Sequence, residues 1–285
     1  MIVAQSIDGV RAARAGLGKL GFVPTMGFLH EGHLSLVRQA RAKTGACAVS
    51  IFVNPTQFGP NDDLTRYPRD LERDLKLLSE AGADLVFTPT QEDIYPSGFD
   101  TRIEVGGVTA PLEGAVRPGH FAGVATVVAK LLNIVGPEAA WFGQKDAQQV
   151  AVVRKLVRDL NMAVEIRVGE TVREPDGLAM SSRNVYLGAA ERAAAPVLNR
   201  ALCMAETLYE AGECDAGRLR EAMASVLSAE PLARADYVSV ADPDTLEELK
   251  TVGPPGALAS LAVRFGATRL IDNRLLGPAA QKWLR

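Results

Sequence analysis

Residues 20–53 have the sequence LGFVPTMGFLHEGHLSLVRQARAKTGACAVSIFV. A strand is predicted over residues 20–24, a Gly-containing loop follows it, and a helix is predicted over residues 32–43. Residues 46–53 are almost entirely apolar, as expected of a parallel strand that is covered on both faces. The stretch therefore predicts two parallel strands joined by a right-handed helical crossover.

The same alternation continues through the first 170 residues. Further strands are predicted over residues 83–87, 139–142 and 164–168, and further helices over residues 68–81, 121–135 and 148–160. This order indicates a Rossmann-like, doubly wound α/β domain with a parallel sheet. Such sheets bind ligands beyond the carboxyl ends of their strands, so the loops there are where chemistry is expected.

The pattern changes after residue 171. Helices are predicted over residues 189–211 and 216–228, followed by strands over residues 235–240, 258–265 and 268–272. The segment TVREPDG at residues 171–177 is punctuated by Pro and Gly, which favours a boundary there. We expect a domain of residues 1–171 followed by a smaller α+β domain of residues 172–285.

Composition excludes several classes of protein. Of the 285 residues, 47% are hydrophobic and 23% charged, the balance of an ordinary globular protein. The net charge of −3 disfavours bulk nucleic-acid binding, and the three scattered cysteines favour reduced thiols in a cytosolic protein. The amino terminus turns polar too early for a signal peptide, and Lys130 and Asn133 interrupt the most apolar stretch. We expect a soluble, cytoplasmic protein with no membrane or nucleic-acid partner.

Standard phosphate-binding glycine motifs are missing, and two histidines stand where the first loop meets its helix. On a helix, the spacing of His30 and His33 puts both imidazoles on one face. A helix amino terminus also attracts anions, so this pair is a candidate phosphate site. A surface helix start with two partly solvated histidines explains the spacing equally well. A zinc site would need a third ligand, and no cysteine is nearby.

A second candidate segment contains Ser181, Ser182 and Arg183. Arg and hydroxyl groups on a loop are typical of a phosphate clamp, although this tripeptide alone is weak evidence. Together with the histidine motif, it resembles the nucleotidylyl transferases that include class I aminoacyl-tRNA synthetases. In that class the two motifs grip a triphosphate from opposite sides.

Three more segments narrow the resemblance: FVNPTQF at residues 52–58, RPGHFAGV at residues 117–124 and FGQKDAQQ at residues 142–149. With the first two motifs, they resemble the pantothenate synthetase family, the ATP-dependent pantoate–β-alanine ligases. The resemblance covers essentially the whole chain, in order. Phe28 departs from the family, which usually has a smaller residue or Tyr there.

The resemblance implies a two-step ligation. The carboxylate of pantoate attacks the α-phosphorus of ATP, which releases pyrophosphate and gives pantoyl adenylate. The amine of β-alanine then displaces AMP to give pantothenate. The first step needs charge neutralisation, alignment and exclusion of water, and hardly any proton transfer.

The resemblance also implies residue roles, with His33 as the catalytic residue. The residues expected to bind ATP are Met26, Gly27, Phe28, Leu29, His30, Glu31, Gly32, His33, Gly143, Gln144, Lys145, Asp146, Val172, Met180, Ser181, Ser182 and Arg183. Those expected to bind pantoate or β-alanine are Gln57, Gln149 and Asn54.

Mg²⁺ is expected to arrive with ATP, and Asp74 is the candidate metal contact, with a solvated helix face as the alternative. His120, in a Gly-containing turn, is interpreted as a structural hydrogen-bonding residue. We expect a homodimer, in which the smaller domain acts as a lid and Arg183 couples its closure to ATP.

Two rival functions stay open. Another nucleotidylyl transferase, such as a cytidylyltransferase, would share the histidine motif but would not need the two glutamines. A nucleotide-binding or metal-sensing module without catalysis is the rival from a different class. Turnover of ATP that depends on pantoate would exclude it.

Overall fold

The computed structural model describes residues 1–60 and 62–284, except for the side chains of residues 281 and 282. It forms two compact units. The first combines Met1–Gly143 with Val152–Gly169, and the second combines Gln144–Ala151 with the chain from Glu170 onward. The division into functional domains at residue 171 stays a prediction.

The first unit contains a six-stranded sheet in the order β1-β4-β3-β2-β5-β6. Every neighbouring pair is parallel. The strands are β1 (Ile2–Ala4), β2 (Leu20–Thr25), β3 (Ala46–Ile51), β4 (Leu85–Phe87), β5 (Ala139–Gly143) and β6 (Glu165–Gly169). The strand order reverses between β2 and β5, so the carboxyl ends of these strands are the favoured place for a ligand.

Helices connect these strands. They are α1 (Ile7–Arg14), α2 (Glu31–Thr44), α3 (Leu71–Ala81), α4 (Gln91–Ile94), α5 (Glu113–Val116), α6 (His120–Val135) and α7 (Ala147–Asp159). Short 3-10 turns lie at Pro55–Gln57 and Gln144–Asp146. No helix in the described part of the chain combines the length and apolar character needed to cross a membrane.

The sheet is buried on both faces. Val23, Val49 and Val86 pack with residues of α2 and α3 in one apolar cluster. Successive strand residues point to opposite faces, and their neighbours Phe22 and Leu85 are also fully buried. The near-continuous apolar strands are therefore explained by helices on both sides of the sheet.

The second unit has a three-stranded antiparallel sheet in the order β7-β8-β9. Its strands are β7 (Arg234–Ala241), β8 (Ala257–Phe265) and β9 (Thr268–Leu276), and its helices include α8 (Ala189–Ala194), α9 (Val197–Glu210), α10 (Ala216–Ser228) and α11 (Ala279–Trp283). Leu202 of α9 and Leu219 of α10 join Leu261 of β8 in one buried cluster. A Rossmann-like sheet domain followed by a smaller α+β domain is thus confirmed as the fold class.

Two sequence predictions of elements were wrong in detail. The single helix predicted over residues 189–211 is two helices, because the sequence places Pro196 between them and proline cannot continue the hydrogen-bond ladder. The strand predicted to end at residue 272 continues to Leu276. It pairs along its whole length with β8, and this pairing outweighs the low strand propensity of Asp272 and Asn273.

Candidate active site

The loop between β2 and α2 has a tightly folded backbone. Gly27 has φ of 82° and Phe28 has φ of 50°, in the left-handed region that favours glycine. A Cβ at Gly27 would lie 3.0 Å from both Asp74 Oδ2 and Ile51 Cγ2. The loop therefore packs closely against its neighbours just before α2 begins at Glu31.

A buried carboxylate holds this loop. Asp74 of α3 is only 1% exposed, and it accepts the backbone N–H groups of Phe28 at 2.7 Å and Leu29 at 2.8 Å. Burial raises the pKa of Asp74 above its usual value, and the two amides oppose that rise. The neighbouring Arg73 guanidinium lies 5.3 Å from the centre of the Phe28 ring. Asp74 has the geometry of a loop anchor, and its role as a metal contact stays a prediction.

His30 and His33 lie together at the start of α2, as their spacing predicts. Their ring centres are 4.1 Å apart, and the backbone N–H of His30 donates to Nδ1 of His33 at 3.4 Å. A neutral imidazole that accepts at Nδ1 carries its proton on Nε2. This bond therefore favours the tautomer in which His33 Nε2–H is a hydrogen-bond donor.

Asn54 and Gln57 meet at the 3-10 turn that follows β3. Asn54 Nδ2 donates to Gln57 Oε1 at 3.0 Å, and Gln57 Nε2 lies 3.3 Å from Met26 Sδ. The two amide residues are 1% and 9% exposed, respectively. The structure thus brings both amides and the loop after β2 together at the carboxyl ends of neighbouring strands.

Helix α6 supports the same turn. A Cβ at Gly123 would lie 2.4 Å from the carbonyl oxygen of Thr56, so only glycine allows this close approach. His120 Nδ1 donates to the carbonyl oxygen of Gln57 at 2.8 Å, and Arg117 lies 3.2 Å from His120 Nε2. Burial, followed by the charge of Arg117, lowers the pKa of His120 to about 4. A neutral His120 therefore holds the turn, in agreement with its predicted structural role.

In the second unit, a buried asparagine holds the residues that follow β5. Asn273 Nδ2 donates to the carbonyl oxygens of Gln144 and Lys145, each at 2.9 Å, and its Oδ1 accepts from Gln144 Nε2 at 3.2 Å. Lys145 Nζ lies 3.7 Å from Asp146 Oδ1, and its side chain is 20% exposed. The backbone of Lys145 is fixed while its ammonium group can still meet a ligand.

The segment that contains Ser181, Ser182 and Arg183 is held by hydrogen bonds between residues close in sequence. The backbone N–H of Met180 donates to the carbonyl oxygen of Val172 at 3.0 Å. Ser181 Oγ accepts the backbone N–H of Arg183 at 3.2 Å and begins the 3-10 turn Ser182–Tyr186. This cap fixes the start of the turn that carries Arg183.

The predicted site residues are divided between the two units. The first unit contains Met26, Gly27, Phe28, Leu29, His30, Glu31, Gly32, His33, Asn54, Gln57, Asp74 and Gly143. The second contains Gln144, Lys145, Asp146, Gln149, Val172, Met180, Ser181, Ser182 and Arg183.

Several residues that support these loops have weak or no sequence signals. The Tyr95 hydroxyl donates to Asn54 Oδ1 at 2.8 Å, and no motif marks this tyrosine. Arg173 makes a bidentate ion pair with Asp272 at 2.7 and 3.0 Å. In the sequence, the adjacent polar residues Asp272 and Asn273 within β9 were the available signal.

These features define a Rossmann-type α/β protein with its candidate site beyond the ends of parallel strands. A family model described as pantoate-beta-alanine ligase matches residues 2–275. The pantothenate synthetase of Herpetosiphon aurantiacus is 62% identical over 276 residues, which cover 97% of this chain and 100% of that protein. That of Chloroflexus aurantiacus is 63% identical over 276 residues, covering 97% and 98%.

Solved structures agree with these relatives. Pantothenate synthetase from Thermus thermophilus has a TM-score of 0.93 at 50% identity, covering 98% of this chain and 100% of that one. Pantoate-beta-alanine ligase from Francisella tularensis, solved with beta-gamma ATP and β-alanine, has a TM-score of 0.79 at 37% identity, covering 98% and 99%. The protein belongs to the pantoate–β-alanine ligase family, which confirms the resemblance found in its sequence.

Asp74→Asn should loosen the loop after β2. An amide oxygen can replace only one of the two acceptors, and the new NH₂ group then faces a backbone N–H. The free energy of unfolding should fall by about 1–3 kcal/mol, the cost of leaving a buried group unsatisfied. Hydrogen exchange of the Phe28 and Leu29 amides should accelerate about tenfold or more. Asp70→Asn, at the exposed start of α3, is the matched control, and equal exchange in both variants would contradict the anchor.

His120→Gln should remove a pH dependence of stability. The pKa of His120 is about 4 in the folded protein and 6.5 for an unperturbed histidine. Between these two pH values the unfolded chain therefore binds more protons than the folded protein. The contribution of neutral His120 to the free energy of unfolding is complete above pH 6.5 and is lost as the pH falls towards 4. Over this pH range the free energy of unfolding should fall by roughly 3 kcal/mol.

Gln can still donate to the carbonyl oxygen of Gln57, so the variant should resemble wild type at pH 7. The stability of wild type relative to the variant should then decrease between pH 6.5 and pH 4, as measured by urea unfolding. A difference between the two proteins that does not change with pH would show that His120 titrates normally.

Proposed function

We propose that this enzyme ligates pantoate and β-alanine to pantothenate, with ATP cleaved to AMP and pyrophosphate through pantoyl adenylate. Membership of the pantoate–β-alanine ligase family over residues 2–275 carries this proposal. The reaction would thus complete pantothenate biosynthesis, and its product would supply coenzyme A biosynthesis. The complex of the Francisella tularensis relative with beta-gamma ATP and β-alanine supports ATP and β-alanine as two of the three substrates.

The first step forms a mixed anhydride. A carboxylate oxygen of pantoate bonds to the α-phosphorus, and the bond to the bridging oxygen of pyrophosphate breaks. Negative charge on the phosphates has to be met by positive charge and hydrogen-bond donors. His33 is suited to this role because its Nδ1 accepts from the backbone of His30, which makes Nε2–H the donor. The Phe28 and Leu29 amides donate to Asp74, so the loop must meet ATP through other groups.

Further phosphate partners are proposed from the residues that the sequence resemblance implies. Lys145 and Arg183 neutralise charge, and the hydroxyls of Ser181 and Ser182 donate to phosphate oxygens. Ribose and adenine are held by the backbone and side chains of Gly143, Gln144, Asp146, Val172 and Met180. Support comes from Asn273, which fixes the backbone of Gln144 and Lys145.

Pantoate is held by Gln57 and Gln149, whose amides can bind its carboxylate and hydroxyl groups. In the second step the unprotonated amine of β-alanine attacks the acyl carbon of the adenylate. The bond from that carbon to the phosphate oxygen breaks, AMP leaves with the electron pair, and the amine nitrogen loses a proton. Water must be excluded until the amine arrives, because the anhydride would otherwise hydrolyse.

Mg²⁺ enters this proposal as the counter-ion of ATP. Among the residues that the structure describes, no group of three or more His, Cys, Asp or Glu side chains could hold a metal ion. Each carboxylate oxygen of Asp74 already accepts one loop amide, so a contact with Mg²⁺ would use the second lone pair of an oxygen, and this contact stays a prediction. No step of the proposed reaction is assigned to a protein-bound metal.

AMP formation tests the function directly. It should require ATP, pantoate and β-alanine together, while ATP and pantoate alone should give pantoyl adenylate in a rapid-quench experiment. Turnover of another nucleotide or another acid at an equal rate would favour the rival nucleotidylyl transferase. Binding of ATP without any turnover would favour a non-catalytic module.

His33→Ala should lower the rate of adenylation by about 10²–10³, the usual effect of losing one donor to a transition state. The rate is measured by rapid quench with ATP and pantoate. Lys43→Ala, at an exposed position near the end of the same helix, is the control. A His33→Ala rate within a few-fold of wild type would remove His33 from the phosphate site.

Gln57→Ala and Gln149→Ala should weaken pantoate binding and leave ATP binding nearly intact. Each lost amide strands a polar group of pantoate in a dry pocket, at a cost of roughly 1–3 kcal/mol. Calorimetry with each substrate separates the two effects. Equal losses of ATP and pantoate affinity would contradict the assignment.

We also propose a homodimer, since closed two-fold dimers are the commonest soluble oligomers. Light scattering at micromolar concentration should give about twice the mass of one chain, and a monomer mass would refute the dimer. A cytoplasmic location and the lid role of residues 172–285 stay predictions. Solution scattering with and without ATP tests the lid.

A further inference from the structure

The side chain of Asn54 is saturated with hydrogen bonds inside the first unit. Its Oδ1 accepts from the Tyr95 hydroxyl at 2.8 Å, from the Thr56 hydroxyl at 2.9 Å and from the Thr56 backbone N–H at 3.4 Å. Its Nδ2 donates to the Gly123 carbonyl oxygen at 3.2 Å and to Gln57 Oε1 at 3.0 Å. Both N–H bonds of the amide are therefore used, and the residue is only 1% exposed.

Backbone groups decide which way this amide points. The Thr56 N–H can only donate and the Gly123 carbonyl can only accept, so the oxygen and nitrogen of Asn54 cannot exchange places. The Tyr95 hydroxyl adds a second side-chain donor on the oxygen side. Asn54 therefore turns its NH₂ group towards Gln57, and the Tyr95 hydroxyl strengthens the hold on its Oδ1.

The orientation of Gln57 follows from that of Asn54. Because Asn54 offers a donor, Gln57 turns its Oε1 towards it, and the Gln57 NH₂ group lies at the other end of the amide. That nitrogen lies 3.3 Å from Met26 Sδ, which is only a weak acceptor. An anionic oxygen would be a much stronger partner for the same N–H groups.

We infer that Asn54 and Tyr95 are positioning residues for pantoate: they fix the polarity of the Gln57 amide so that its NH₂ group faces the substrate carboxylate. This inference rests on the proposed role of Gln57 in pantoate binding. It replaces the predicted direct contact of Asn54 with an action through Gln57. A reversed Gln57 amide would present its oxygen and repel the same carboxylate.

Asn54→Asp is the sharpest test because it keeps the shape and removes both donors. Gln57 should then turn its NH₂ group towards the introduced carboxylate and its oxygen towards the substrate. The KM for pantoate should rise at least tenfold, while the KM for ATP should change less than threefold. Asn133→Asp, on the exposed face of α6, is the matched control and should leave both values unchanged.

Tyr95→Phe is the milder variant and covers the case in which a buried carboxylate at position 54 prevents folding. It keeps the ring packed beside Phe52 and Phe99 and removes only the hydroxyl. The KM for pantoate should rise about three- to tenfold, the effect of one neutral hydrogen bond. Tyr237→Phe, on β7 in the other unit, is its control.

A double-mutant cycle decides whether these residues act through Gln57. In a Gln57→Ala background, adding Asn54→Asp or Tyr95→Phe should change the KM for pantoate by less than twofold. If the effects multiply in the double variants, Asn54 or Tyr95 acts independently of Gln57. This result would overturn the inference and leave the proposed role of Gln57 intact. An unchanged KM for pantoate in Gln57→Ala itself would overturn both the inference and the proposed role of Gln57.

Discussion

Loops that follow buried parallel strands carry backbone polar groups that the sheet cannot satisfy, and in this protein side chains from other elements satisfy them. Asp74 accepts two amides of the loop after β2, and His120 donates to a carbonyl of the turn after β3. In the second unit, Asn273 donates to two carbonyls after β5. Asp74 and Asn273 are 1% and 3% exposed, so their hydrogen bonds form where water does not compete.

This constraint suits the chemistry of the family. Adenylation of a carboxylate moves hardly any protons, so its rate depends on alignment and on donors that are in place beforehand. The bond from the His30 backbone to His33 Nδ1 favours Nε2 as the imidazole nitrogen that donates. The bonds around Asn54 settle which end of Gln57 donates. In both cases a backbone group determines the polarity of a side chain at the candidate site.

Much of the fold follows from local patterns. The strands and helices that were predicted for this sheet lie within a few residues of their observed positions, because apolar periodicity reflects burial directly. The helices α1, α4 and α5 were not predicted. The unmarked strand Ile2–Ala4 has only three residues, too few for a periodic signal. The continuation of β9 to Leu276 depends on pairing with β8, which is not a local property.

The sequence by itself determined the alternation of strands and helices, the spacing of His30 and His33, and the family to which the chain belongs. Only the tertiary structure decided what the polar side chains do. Asp74, a candidate metal contact in the sequence, accepts a backbone amide of the loop 45 residues before it, and no sequence pattern predicted this contact. Asn54 obtains its orientation in part from Gly123, 69 residues away. The direction of a hydrogen bond depends on a partner that the strand order brings near, and no local pattern contains that partner.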